Sequence, residues 1–277
     1  MQEIIELKNI TQKYDNKIIL KDINLSILNS QSIAFTGHNG AGKSTLLKII
    51  AKLVEPTFGE VNYNEDLLFH YVPEHFPKMS ITAREYLTYM GKMDDLKCEE
   101  IDNRLMSLGK DFFLAEMMDT PMKHLSKGSL QKIGIVQSLL RQPDVLILDE
   151  PLSGQDMDSQ SVFIHKMNML KKAGVVIIMS CHEPFLIDSI SDIIYQIDEM
   201  KVIQCSFKPY QKREFFLWFD KLGNAEIPEI YQNRVKYWND KYQMKVEETE
   251  SNAIIVNMIQ QGWKLSGMED ADDERFG

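Results

Sequence analysis

Two stretches near the start of the chain alternate apolar and polar positions. Ile5 and Leu7 within residues 3–9, and Leu20, Ile23, Leu25 and Ile27 within residues 18–28, predict a pair of antiparallel strands. Residues 32–36 (SIAFT) predict a short buried strand that runs straight into a glycine-rich turn, Gly37 to Gly42. From Ser44 to Leu53 the apolar positions switch to helical spacing, with Leu46, Leu47, Ile49, Ile50 and Leu53 on one side. Between about 76 and 140 strand-like runs vanish, and helices are predicted around 82–91, 99–108, 111–118 and 129–141. Val145 to Leu148 and Val175 to Met179 predict two more strands, separated by a helix over 157–172 that Gly174 helps to end. Ile193 to Ile197 and Val202 to Gln204 flank a hairpin turn at Asp198 to Lys201. Strands separated by helical stretches predict a parallel sheet with helices on its faces. Beyond 205 the pattern weakens. An aromatic cluster (Phe207, Tyr210, Phe215, Phe216, Trp218, Phe219) is expected to supply packing, as are Trp238 and Trp263. The apolar run Ala253 to Val256 predicts a strand in a small β/α accessory lobe.

Composition narrows the class. The 277 residues are 44% apolar and 26% charged, enough for a sizeable core and unlike a disordered chain. With 31 basic and 41 acidic residues the net charge is −10, which argues against a nucleic-acid-binding basic face. Three scattered cysteines (Cys98, Cys181, Cys205) form no CxxC pair, so neither a disulfide framework nor a zinc site is expected and a reducing compartment fits. The first residues lack a basic stretch followed by an apolar one, so no signal peptide is expected. No apolar run approaches the roughly 20 residues that span a bilayer, so a membrane role would pass through a partner. The acidic last ten residues read as a solvated tail.

The glycine-rich turn carries the strongest chemistry. Gly37-His38-Asn39-Gly40-Ala41-Gly42-Lys43-Ser44-Thr45 fits GxxxxGK[ST] and sits between a predicted strand and a predicted helix, the context the motif needs. Its glycines let successive backbone N–H groups turn inward onto phosphate oxygens, and the helix N-terminus adds positive potential. Lys43 is placed to reach the β- and γ-phosphates and the Ser44 hydroxyl to ligate Mg²⁺. A second element, Val145-Leu-Ile-Leu-Asp149-Glu150-Pro151, is an apolar strand ending in two carboxylates. Alternation along a strand predicts that Asp149 and Glu150 point to opposite sides, one free to hold Mg²⁺ and the other to face an attacking water.

These residues together resemble the nucleotide-binding subunit of an ATP-binding cassette (ABC) transporter, most clearly from residue 32 to about 182. The narrowing feature is Leu125-Ser126-Lys127-Gly128-Ser129-Leu130-Gln131, which is similar to the family's LSGGQ signature: Ser126 and Gly128 match, whereas Lys127 and Ser129 depart from it. The resemblance implies that Ser126, Gly128 and the helix they open bind the γ-phosphate of ATP held by a second subunit. It implies stacking of Tyr14 on adenine, Asp156 as the aspartate of the loop that follows Glu150, and His182 as the switch histidine beside the γ-phosphate. Glu74 falls where the family usually has a glutamine that touches Mg²⁺, so the metal set would be Ser44, Glu74 and Asp149, with Glu150 and His182 catalytic. Glu74 and Lys127 also resemble the cassettes of drug, peptide and antibiotic exporters.

The implied fold is α/β, a P-loop NTPase (RecA-like) core with an N-terminal antiparallel β subdomain and an inserted helical subdomain at about 76–140. The cassette would occupy residues 1–205 and a C-terminal extension of unknown role 206–277. The implied function is ATP hydrolysis, with ATP and Mg²⁺ bound, that powers a separate integral membrane permease. The chain would lie peripherally on the cytoplasmic face of the membrane and pair with a second ATP-binding subunit, identical or related. Two other readings stay open at this stage: a soluble cassette ATPase acting on nucleic acid, ribosomes or a protein scaffold, and a non-catalytic ATP-binding module.

Overall fold

The computed structural model describes residues 2–271 except 16, 65, 153–154, 206–213, 224 and 239–240, so Ser153, Gly154, Phe207, Tyr210 and the acidic tail from 272 lie outside the described residues. The chain clusters into two units, residues 1–208 and residues 209–277.

In the first unit the alternating stretches form β1 (Glu3–Tyr14) and β2 (Lys17–Leu28), paired antiparallel as expected, with β4 (Phe58–Tyr63) on the other edge of β1. The second sheet has the order β5 (Phe69–Val72), β6 (Val145–Asp149), β7 (Val176–Ser180), β3 (Ser32–Thr36), β8 (Ile193–Asp198), β9 (Lys201–Cys205). Its first five strands are parallel, and β8 and β9 form the predicted hairpin. Both faces of this sheet are covered, and the strand period of two sorts the side chains between two cores. Val145, Ile147, Val176, Ile178, Ile33 and Phe35 pack with α1 (Lys43–Ile50) and the antiparallel sheet. Leu146, Leu148, Ile177, Met179 and Ala34 pack on the other face. That second core also holds α5 (Met157–Lys172), α6 (Pro184–Ile190) and the helical stretch α2 (Ala83–Met93), α3 (Cys98–Asp111) and α4 (Lys127–Leu139). Each fully buried aliphatic side chain contributes roughly 1.5–3 kcal/mol.

Two predicted helices differ from the structure. The first helix stops at Ile50 rather than Leu53, because Lys52 adopts a left-handed φ of 61°. The α-helix expected over 111–118 is absent, and α3 ends at Asp111. Phe112 and Leu114 are both buried, two residues apart, a spacing one helix face does not provide, and Phe113 between them is left-handed and exposed. A single 3-10 turn at Ala115–Met117 follows.

The second unit is a four-stranded antiparallel sheet, order β11 (Val235–Trp238), β12 (Lys241–Glu247), β10 (Glu214–Lys221), β13 (Trp263–Asp270). The described part of the aromatic cluster lies on β10, where Leu217 and Phe219 are fully buried; Trp263 is buried beside them. The strand expected at Ala253 to Val256 is instead the middle of α7 (Glu248–Gln260). A capping box between Glu247 and Glu250 starts the helix, and Ser251, Ile254 and Met258 line its buried face at spacings of three and four. Tertiary packing overrides the β-preference of two isoleucines and a valine.

Candidate nucleotide-binding site

The turn after β3 needs its glycines. At Gly37, φ is 142° and a Cβ would sit 2.5 Å from the Ile197 carbonyl oxygen; at Gly42, φ is 106° and a Cβ would press on Ile19 and Leu20 at 3.0 Å. Gly42 precedes α1 without a side-chain cap, and no acidic residue occupies the first turn. The helix therefore opens with unclaimed N–H donors and no competing carboxylate, the setting that suits a phosphate.

A cavity of about 580 Å³ opens over this turn. Tyr14, Asn39, Gly40, Gly42, Lys43, Ser44, Thr45, Glu74, Glu150 and His182 line it, together with two residues that sequence reasoning missed, Ile19 and Glu183. Tyr14 is 46% exposed at its rim. Gly37, His38 and Ala41 belong to the turn but do not line the cavity; His38 bonds the Asn39 carbonyl through Nδ1 at 3.0 Å.

Lys43 is only 6% exposed, and its ammonium donates to the Gly37 carbonyl at 2.9 Å. It also lies 2.8 Å from His182 Nε2 and 3.6 Å from Glu150 Oε1. His182 Nε2 is 3.1 Å from the same Glu150 oxygen. Partial burial pushes the Glu150 carboxyl above its ordinary range; His182 and Lys43 pull it down, and the Glu183 and Asp149 charges push it up again.

Asp149 ends β6 and is 3% exposed. Its Oδ1 accepts hydrogen bonds from Ser44 Oγ at 3.1 Å and Ser180 Oγ at 2.6 Å, and its Oδ2 accepts from the Tyr71 hydroxyl at 3.1 Å. Glu150 does not continue the strand: its φ is 47°, and this left-handed turn carries its carboxylate to Lys43, next to the serine that Asp149 holds. Both acids thus contact the phosphate loop, Asp149 through Ser44 and Glu150 through Lys43.

Ser44 Oγ and Asp149 Oδ1 are hard oxygen donors side by side at the loop, and Glu74 lines the same cavity with its side chain 44% exposed. Among the described residues no group of three or more His, Cys, Asp or Glu could hold a metal alone. The donors fit Mg²⁺, which takes one or two protein carboxylates and completes its shell with phosphates and water. His75 Nδ1 lies 3.6 Å from Glu74 Oε1; the structure thus joins two of the three expected metal ligands, Ser44 and Asp149, and Glu74 lines the same cavity as Ser44.

Ser126, Gly128 and Asp156 do not line the cavity. Ser126 caps α4, accepting the Ser129 N–H at 3.1 Å. Asp156 caps α5 through the Ser159 N–H at 2.9 Å and pairs with Lys132 Nζ at 2.8 Å. The Lys132 hydrogen bond, then the Ser159 N–H, hold its carboxyl well below the usual range.

A phosphate-binding turn between strand and helix, with an acidic strand end facing its serine, defines a P-loop ATPase. Residues 20–153 match the family model described as ABC transporter. The zinc import ATP-binding protein ZnuC of Rickettsia conorii is 30% identical over 193 residues, 68% of this chain and 80% of that one. The ABC transporter ATP-binding protein NatA of Bacillus subtilis is 30% identical over 218 residues, 72% of this chain and 88% of that one. A solved structure described as the ATP-binding subunit of an ABC transporter is 28% identical, with a TM-score of 0.68 over 74% of this chain and 90% of that one. The chain belongs to the ABC transporter ATP-binding family and is an ATP hydrolase.

Proposed function

We propose that this chain hydrolyses ATP at the Lys43 cavity to power a separate membrane-spanning permease, working as a pair of ATP-binding subunits. The convergence of Lys43, Glu150 and His182 within 3.6 Å of one another, over a glycine turn and beside Ser44 and Asp149, carries the reading. Tyr14 and Ile19 offer the base an aromatic and an aliphatic surface at the rim. The turn's N–H groups and Lys43 hold the triphosphate, and Ser44 with Asp149, joined by Glu74, hold Mg²⁺. When bound, Mg²⁺ supplies charge neutralisation on the phosphate oxygens. Glu150 orients the attacking water and accepts its proton, its raised basicity serving that task, and His182 donates to the γ-phosphate.

The cavity holds only part of the residue set that the family resemblance implies. Ser126 and Gly128 open α4 away from it, so in this proposal they cover the nucleotide of a second subunit, with Asp156 at the same contact. Among the described residues no helix is long and apolar enough to cross a membrane, which fits a division of labour with a permease.

Export of drugs, peptides or antibiotics rests on Glu74 and Lys127 alone. Relatives 30–33% identical carry zinc import in their names, which weighs against that assignment, so the proposal stops at a transport-coupled ATPase. Mg²⁺-dependent phosphate release by the purified chain tests it: both Lys43→Ala and Glu150→Gln should reduce the rate by about 10²-fold or more. Unchanged release in both variants would remove the site. Glu150→Gln with saturating ATP should also elute as a dimer, identical or mixed. Co-purification of an integral membrane protein in mild detergent tests the permease.

A further inference from the structure

We propose that Tyr71 and Ser180 are positioning residues which clamp the Asp149 carboxylate from the two strands that flank β6, with Ser180 also holding the turn that presents Glu150. The inference rests on the reading of the Lys43 cavity as the ATP-hydrolysing site.

β6 lies between β5 and β7 in the sheet, and each neighbour sends one hydroxyl to the acid at its end. Tyr71 on β5 donates to Oδ2 at 3.1 Å, and Ser180, the last residue of β7 and the register partner of Asp149, donates to Oδ1 at 2.6 Å. The shorter contact is in the range of a charge-assisted bond. A carboxylate that is 3% exposed must be hydrogen-bonded to stay charged. Of its three hydroxyl donors, Ser44 is the one the metal and phosphate would claim. Tyr71 and Ser180 remain, one on each oxygen, and fix the plane of the carboxylate.

Ser180 acts a second time. Its Oγ accepts the Glu150 N–H at 3.0 Å, and its carbonyl accepts the same N–H at 3.2 Å. That N–H belongs to a residue in the left-handed region, φ 47°, a conformation that costs a non-glycine residue energy unless its surroundings hold it. One fully buried hydroxyl therefore sets the aim of Asp149 and the turn that sends Glu150 to Lys43. Two residues further along the same chain is His182, so the three catalytic and metal-facing groups share one short anchor.

Three variants test this: Ser180→Ala, Tyr71→Phe, and Ser180→Thr, which keeps the hydroxyl. The first readout is the affinity for a fluorescent ATP analogue with and without Mg²⁺. In wild type, Mg²⁺ should tighten binding; in Ser180→Ala and Tyr71→Phe this gain should shrink by about ten-fold while metal-free binding is unchanged. The second readout is kcat at saturating ATP and Mg²⁺, expected to fall about ten- to hundred-fold in Ser180→Ala. Ser180→Thr should restore most of both. Tyr71→Phe removes one oxygen without opening a cavity, and decides the case if Ser180→Ala shows no cooperative melting. A wild-type Mg²⁺ gain and kcat in Ser180→Ala and Tyr71→Phe would overturn the clamp, as would a Ser180→Thr protein as impaired as Ser180→Ala. A wild-type chain that neither binds nor hydrolyses ATP would instead overturn the function on which it rests.

Discussion

Glu150 stands among Lys43, His182 and two acids, and its protonation should be visible in the rate. Glu183 lines the cavity, and its Oε2 accepts the Cys181 thiol at 3.1 Å and the His182 N–H at 3.3 Å, which keeps its charge close to Glu150. That charge helps to push the Glu150 carboxyl up. A base must be ionised to work, so the rate should fall as pH drops through this raised value, above the ordinary range of about 4.3. Glu183→Gln removes one acid, lowers the Glu150 pKa, and should move the acid limb of the kcat–pH profile to lower pH. An unmoved limb would show that another group sets it. Glu183 was not legible beforehand because nothing in its sequence neighbourhood marks it beyond adjacency to His182. Lys43, Ser44, Asp149 and Glu150 were legible because they sit at fixed offsets from glycines and a strand end, whereas His182 was singled out only by the family resemblance. Tyr71 and Ser180 escaped because their role comes from strand order, β5-β6-β7, and the chain does not announce which strands are neighbours.

At the level of elements, α4 meets the sheet without clearance. A Cβ on Gly134 would lie 2.7 Å from the Phe76 ring and 3.3 Å from Val72, and Phe76 stands two residues after Glu74. Gly134→Ala gains helix propensity but overpacks this contact, so we expect a net loss of about 1–3 kcal/mol in urea unfolding. It should also weaken catalysis through the shifted Glu74 segment. The capping box of α2, in which Thr82 Oγ accepts the Glu85 N–H at 3.1 Å, gives a second measure: Thr82→Ala should cost about 1 kcal/mol and leave ATP binding intact. Strongly periodic elements such as β1, β2, α2, α3 and α5 were readable from pattern alone. α7 was not, because Ile254 and Ile255 favour strands in isolation and only the sheet they pack on makes the helix pay; nor was the break at Phe113, which two buried neighbours impose.

For the whole molecule, every residue lining the cavity lies between Tyr14 and Glu183, inside the first unit. The second unit has its own core around Leu217, Phe219, Met244 and Trp263. A chain ending at residue 208 should therefore still bind the fluorescent ATP analogue with affinity within about two-fold of the full chain, since no lining contact is lost. A large loss on truncation would assign the second unit a part in the site. Within the first unit, a pair formed by Lys132 and Asp156 links two helices. Lys132 lies 8% exposed on α4, and Asp156 opens α5, six positions beyond Glu150. Pulling the middle of α4 away from the start of α5 would leave the mostly buried Lys132 ammonium without its counter-ion, a loss tempered by the 59% exposure of the Asp156 side chain. The strut thus ties the middle of α4 to the start of α5, so a tug delivered to the helical stretch reaches the segment that follows Glu150 by a route that bypasses the phosphate loop.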